Sequence, residues 1–275
     1  MSATNSRLWQ QRYRDHAPEQ GAFAADEVIA TLLEHRSVRA YLDRPLPAGT
    51  LETLLAAAQS AASSSNLQVW SLLAVEDPQR KARLAELANG QAHIRQAPLF
   101  LVWLADFSRI QRQAERHDID LQALPYLDSF LMGAIDAALA AQNAVTAAES
   151  LGLGTVYIGA LRNNLQAVVD ELRLPPLVYP VFGLCVGYPD ADKPAQVKPR
   201  LPQSLILHRE TYAVHPEEQR LIDDYDRTLI EFYAEQGQQS PGWSRQSLER
   251  LRTVAILHGR ERLAAAVKAQ GFPLR

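Results

Sequence analysis

The chain has 275 residues, 47% of them hydrophobic and 21% charged, which suits one large domain or two small ones with a real core and excludes a disordered, collagen-like or mucin-like polypeptide. With 28 basic against 31 acidic residues the formal net charge is −3, too little positive field to hold a polyanion along a face, so nucleic acid is not an expected partner. The single cysteine, Cys185, excludes an internal disulfide and a thiolate metal cluster and points to a reducing cytoplasm.

Residues 1–26 are polar, with Arg7, Arg12 and Arg14, and lack the apolar run of a secretory signal. They are expected to form a partly helical leader. Val28, Ile29, Leu32 and Leu33 then fall at helical spacing, and a second amphipathic helix is expected over 51–62, beyond the breaker at Asp43-Arg44-Pro45. A polar loop, Ser63-Ser64-Ser65-Asn66, leads to a strand over 69–75 and a helix over 79–88. Residues 98–105, PLFLVWLA, are apolar at every position, as in a strand buried on both faces. The longest helix is expected over 129–151, rich in alanine and apolar almost all round, so it belongs in a core or a subunit interface. Asp136, Gln142, Asn143 and Glu149 make it a poor membrane span. Strands over 155–159 and 179–187 flank a helix over 163–172, and residues 217–275 read as a charged helical tail. Helices outnumber strands without strict alternation, so the expected class is α+β, a mixed sheet flanked by helices with a long central helix.

Familiar catalytic motifs are absent. There is no HExxH and no phosphate-binding GxxxxGK[ST], and Gly152-Leu-Gly154 stands between helix and strand, the reverse of a dinucleotide fingerprint. The seven histidines have no ligand spacing, so no metal is expected. His35-Arg36-Ser37-Val38-Arg39 is the first positive signal: in extended chain His35, Ser37 and Arg39 share a face and Arg36 points away, a mixture of fixed charge and short donors suited to phosphate. Lys198-Pro199-Arg200 is a second basic stretch, stiffened by proline. Ser63, Ser64 and Ser65 offer donors at a helix end, and the strand ending Tyr157-Ile158-Gly159-Ala160 finishes in small residues that let a flat ligand approach the backbone.

Together and in this order, these stretches resemble the nitroreductase-type flavoproteins, in particular the oxygen-insensitive major nitroreductases and NADPH–flavin oxidoreductases of bacteria. HRSVR at 35–39, SSSNLQ at 63–68 and GQAHI at 90–94 carry the likeness. So do AQNAVTAAESLGLGTVYIGALRNN at 141–164, FGLCVGYP at 182–189 and KPRLP at 198–202. The resemblance implies a nitroreductase-like FMN-binding domain over 27–275, with a C-terminal helical extension from about residue 213, in an intertwined homodimer. It implies FMN as cofactor and NAD(P)H as reductant, with nitroaromatics or quinones reduced by ping-pong two-electron hydride transfer. A flavin reductase supplying free reduced FMN and a non-catalytic flavin-binding module remain alternatives.

By position, the resemblance implies a phosphate and ribityl grip from His35, Arg36, Ser37, Lys198, Pro199 and Arg200. Arg39 and Gln91 would meet the N1/O2 edge of the ring, and Tyr157, Ile158, Gly159 and Ala160 would line it near N5 and O4. Ser63, Ser64 and Ser65 would come from the other subunit. Asn66, Gln68, Asp128 and Arg245 would face substrate. A guanidinium beside N1–C2=O would favour the negative charge that reduction leaves there, and no side chain is expected to be catalytic in its own right. Relatives using NADPH tend to carry Arg or Lys in the loop that binds its 2′-phosphate. Residues 234–242, AEQGQQSPG, have none, and Arg245 is the nearest.

Overall fold

The computed structural model describes residues 3–17 and 26–275. The leader expectation for residues 1, 2 and 18–25 lies outside the described residues. In chain order the elements are α1 Ala3–Tyr13, α2 Glu27–Glu34, α3 Thr50–Gln59, β1 Trp70–Val75, α4 Pro78–Leu87, α5 Ala92–Gln96, β2 Leu99–Asp106, α6 Ser108–His117 and α7 Leu127–Ser150. They continue with β3 Gly154–Ile158, α8 Leu165–Leu172, β4 Val178–Gly187, α9 Glu218–Ala234, α10 Trp243–Leu251 and α11 Leu263–Ala269. The chain divides into two compact units, residues 37–195 with 257–275, and residues 1–36 with 196–256.

The larger unit is built on one sheet in the order β1-β2-β4-β3. All three pairings are antiparallel. The parallel component of the expected mixed sheet is confined to a bridge between Ser37 and Thr155. Every residue of β2 is buried. Phe100, Val102 and Leu104 enter a core with α4, α5 and α8, whereas Leu99, Leu101 and Trp103 enter a second core with α3 and α7. Helices on both faces explain why PLFLVWLA has no polar position. A Cβ on Gly154 would lie 2.7 Å from Val38 Cγ2, so the missing side chain admits the 37–39 segment, where the Val38 N–H donates to Thr155 O.

Helix α7 turns Ala137, Ala140, Ala141, Ala144 and Ala148 inward, and their small side chains let it lie close on the sheet. Its opposite side exposes Leu127, Leu131, Ile135 and Leu139, one apolar stripe at a spacing of four. By length and composition α7 could cross a bilayer, but its buried alanine face makes it a core helix.

Two helices have no counterpart in the sequence expectations. Helix α5 is a single short turn, and α6 has only Ile110 and Ala114 on the side opposite Arg109, Arg112 and Arg116, too few apolar positions to mark a helix in the sequence. The helix expected to reach Ala62 stops at Gln59, and the one expected from Asn163 begins as a 3₁₀ turn over Gly159–Asn164. In the smaller unit, Asp26 Oδ1 accepts from the Ile29 N–H and caps α2. Leu221, Tyr225, Leu229 and Phe232 form the buried stripe of α9. The charged tail divides between the units. In the larger one, Val267 of α11 and Phe272 pack with Phe107 and Tyr179.

Asp106, at the end of β2, accepts from the N–H and hydroxyl of Ser108 and is paired with Arg109 at 3.3 Å. Burial pushes its carboxyl up, but the hydrogen bonds from Ser108 and Ser71 and the Arg109 charge outweigh this and hold it below the usual range. The folded pKa is therefore depressed. Its stabilisation is fully present above about pH 4 and disappears as pH falls through the lower folded value. Asp106→Asn is expected to lower the unfolding free energy at pH 7 by about 1–3 kcal/mol and to flatten the loss of stability in acid. Urea unfolding at pH 7 and pH 3 measures both, and an Asn variant with the wild-type difference contradicts the account.

Candidate functional site

The smaller unit contributes His35, Arg36, Lys198, Pro199 and Arg200. His35 is the residue at which α2 gives way to extended chain. Arg36 turns back to donate to the Glu34 carbonyl. Pro199 is buried and its carbonyl accepts from the Tyr225 hydroxyl at 2.9 Å, which fixes the backbone between the two exposed cations. Lys198 Nζ donates to the Tyr233 hydroxyl at 2.7 Å and stands 5.1 Å from that ring's centre. Buried Arg12 of α1 donates to the carbonyls of both His35 and Lys198. The two basic stretches, far apart in sequence, are thus held on one guanidinium.

The larger unit carries Ser37, Arg39, Gln91 and residues 157–160. Arg39 is exposed and, among the described residues, makes no hydrogen bond. Burial, then the Arg39 charge, push the His93 pKa below its ordinary value, so this ring is neutral at pH 7. With its proton on Nε2, His93 donates to Gln91 Oε1 at 3.0 Å and leaves the two amide protons of Gln91 for another acceptor. Tyr157 is exposed, packs edge-on against Phe182 at 5.0 Å, and lifts its hydroxyl toward Gln142. Burial raises its pKa, so it stays protonated. Ile158 is buried, and Gly159 and Ala160 are half-buried.

The serine loop is held from below. Asp136, 2% exposed on α7, accepts the Ser63 hydroxyl at 2.6 Å and the Ser64 N–H at 3.1 Å. The Ser63 oxygen in turn accepts the Gln68 N–H at 2.7 Å. Ser65, Asn66 and Gln68 all have positive φ, from 48° to 55°, a backbone cost that such pinning supports. Gln68 Nε2 donates to Asn66 Oδ1, while Arg109 donates to the carbonyls of Gln68 and Trp70. Ser63, Asn66, Gln68 and Arg109 border an open cavity of about 700 Å³ beside β1. Asp128 lies exposed in the first turn of α7, and in the smaller unit Arg245 is paired with Glu249 at 2.7 Å on α10.

Sequence reasoning missed Asp136, Arg109 and Arg12 as site-shaping groups. The available signal was charge where the pattern wants none, since Asp136 interrupts an alanine-rich helix and an apolar environment tolerates a carboxylate only when its oxygens are hydrogen-bonded.

The smaller unit thus carries fixed cations held by α1 and α9, and the larger one carries an exposed guanidinium at Arg39 and the amide of Gln91. Residues 32–188 match the nitroreductase family and residues 198–275 match that family's C-terminal domain; the chain belongs to the nitroreductase family. It is 42% identical over 250 residues to the FMN reductase [NAD(P)H] of Bacillus subtilis, spanning 90% of this chain and 98% of that protein. It is 39% identical to the oxygen-insensitive NADPH nitroreductase of Salmonella typhimurium, with the same coverage. The structure of the NADPH:FMN oxidoreductase from Vibrio harveyi, complexed with NAD+, superposes with a TM-score of 0.80 at 34% identity, over 91% of this chain and all of that one.

Asp136→Asn removes the charge that draws in Ser63 and Ser64. It is expected to cost about 1–3 kcal/mol and to open the 63–68 loop to protease before the rest of the chain. Limited proteolysis and urea unfolding check this; a variant as resistant as wild type would show that the loop holds its geometry without the carboxylate.

Proposed function

We propose that the chain is an FMN-dependent NAD(P)H oxidoreductase that reduces nitroaromatics, quinones or acceptors of similar shape. The observation that carries the reading is the donor set around Arg39, a permanently charged guanidinium with no hydrogen-bond partner among the described residues, near Gln91 with both amide protons to spare. Bound FMN would supply the hydride-transfer chemistry between NAD(P)H and acceptor. Arg39 and Gln91 would bind the electron-rich N1/O2 edge of its ring and favour negative charge there. His35, Arg36, Ser37, Lys198, Pro199 and Arg200 would hold its phosphate and ribityl chain, the cations by charge-assisted bonds. The backbone of Tyr157, Ile158, Gly159 and Ala160 would line the ring. Asn66, Gln68, Asp128 and Arg245 are proposed to face substrate. The relatives' names also favour a second reading, a flavin reductase that releases reduced FMN.

The same proposal makes residues 27–275 the FMN-binding domain, with a helical extension from about 213 and with 1–26 as leader, in a cytoplasmic, intertwined homodimer. The exposed stripe Leu127, Leu131, Ile135 and Leu139 supports a second copy, as do exposed Ile206, Leu207, Tyr212 and Val214 and the edge position of β1 in the sheet. Apolar stripes of this kind mark protein interfaces. Ser63, Ser64 and Ser65 would serve the partner's cofactor.

The purified protein is expected to be yellow and to bleach on anaerobic addition of NAD(P)H. Arg39→Ala should weaken flavin retention or slow bleaching by about tenfold or more with the fold intact; unchanged flavin content and turnover would remove Arg39 from the site.

The 234–242 loop offers no cation of its own, and Arg245 is committed to Glu249. Arg14 reaches Glu235 at 2.9 Å, but this exposed pair is neutral as a unit. Preference for NADPH over NADH is therefore expected to stay below about a hundredfold in kcat/KM, roughly 2.7 kcal/mol, and steady-state kinetics with both coenzymes decide it.

A further inference from the structure

Residues 1–31 precede the family match, and 90% of this chain already spans 98% of its Bacillus subtilis relative. Yet the leader helix α1 is tied into both basic segments of the smaller unit. Arg12 is 5% exposed. Its Nη1 donates to Lys198 O at 2.8 Å, and its Nη2 donates to Leu33 O at 2.7 Å and to His35 O at 2.8 Å. In return Arg12 O accepts the Arg200 N–H at 2.9 Å. We propose that helix α1 is a brace for the phosphate-binding residues, with Arg12 as the positioning residue that sets the spacing of His35, Lys198 and Arg200.

The physical argument begins with burial. A guanidinium out of water is costly unless its N–H groups find acceptors, so the carbonyls it meets are held in a fixed fork. Leu33 and His35 lie where α2 ends and its carbonyls lose their helical partners, and a cation there also meets the negative end of the helix dipole. The same fork reaches Lys198, 163 positions past His35 along the chain, and the Arg200 N–H completes the link. Leu8, one turn before Arg12 on α1, is 1% exposed and keeps the helix seated on the face that presents Arg12. Arg12 acts on the backbone of the phosphate-binding residues. Its effect is to pre-organise cations that would otherwise have to be ordered when phosphate binds.

This inference rests on the FMN reading above, and the test separates the two. The full-length chain, freed of flavin, is titrated with FMN and with riboflavin, which carries the same ring but no phosphate. Arg12→Met is expected to weaken FMN binding by about tenfold or more while riboflavin binding moves less than about twofold, and Arg12→Lys, which keeps charge but not the fork, should fall between. If Arg12→Met fails to fold, Arg12→Lys carries the comparison. Equal losses for both flavins, or an unchanged FMN affinity in a folded variant, would overturn the brace. A wild-type chain that binds neither flavin would overturn the FMN reading itself, and the brace with it.

Discussion

The architecture of the larger unit depends on a strand with no solvent face. Because β2 is buried over its whole length between two helical layers, nothing in the middle of the sheet can touch a ligand. What a ligand can reach is left to the strand ends and the loops that leave them, where Ser37, Gln91, residues 157–160 and the serine loop all lie. Loops are mobile by default, so a site made of them needs something else to hold its shape.

Buried charge fulfils that need. Asp136 sits under the serine loop, Asp106 with Arg109 under the 68–71 backbone, and Arg12 under the two basic segments of the smaller unit. Asp136, Asp106 and Arg12 are withdrawn from water yet hydrogen-bonded, whereas Arg109 is half exposed. Loss of one partner leaves the other unpaired, at a cost of about 1–3 kcal/mol, larger than the net gain from an ordinary hydrogen bond. That asymmetry makes such pins specific: a wrong loop geometry is penalised, whereas apolar contacts tolerate sliding.

Much of the fold was legible because its signals are periodic. The apolar run ending in LFLVWLA becomes a strand covered on both faces, and the alanine-rich stretch becomes the long α7 with one inward face of small residues. Helix α6 was not legible, because its apolar side amounts to Ile110 and Ala114 among charged and amide residues, too short a period to signal a helix. The basic stretches at 35–39 and 198–200 were visible as residue types. What joins 35 to 198 was not, since Arg12 in a polar leader has the look of a solvated arginine until its three carbonyl partners are seen. Asp136 announced itself only as an anomaly, a charge on an apolar helix, and the sequence could not say which loop it would receive.

The neutral state of His93 completes the chemistry around Arg39. An imidazolium there would place a second positive charge beside the guanidinium, and the two would repel. Burial and Arg39 together hold the ring neutral, so the Arg39 guanidinium meets no second cation from His93. With the imidazole proton on Nε2, His93 occupies the Gln91 carbonyl and leaves the Gln91 N–H groups for another acceptor. A protonated neighbour would add charge but no direction, whereas a neutral one leaves a guanidinium and an amide that both donate, the arrangement a flat ring with an electron-rich edge requires.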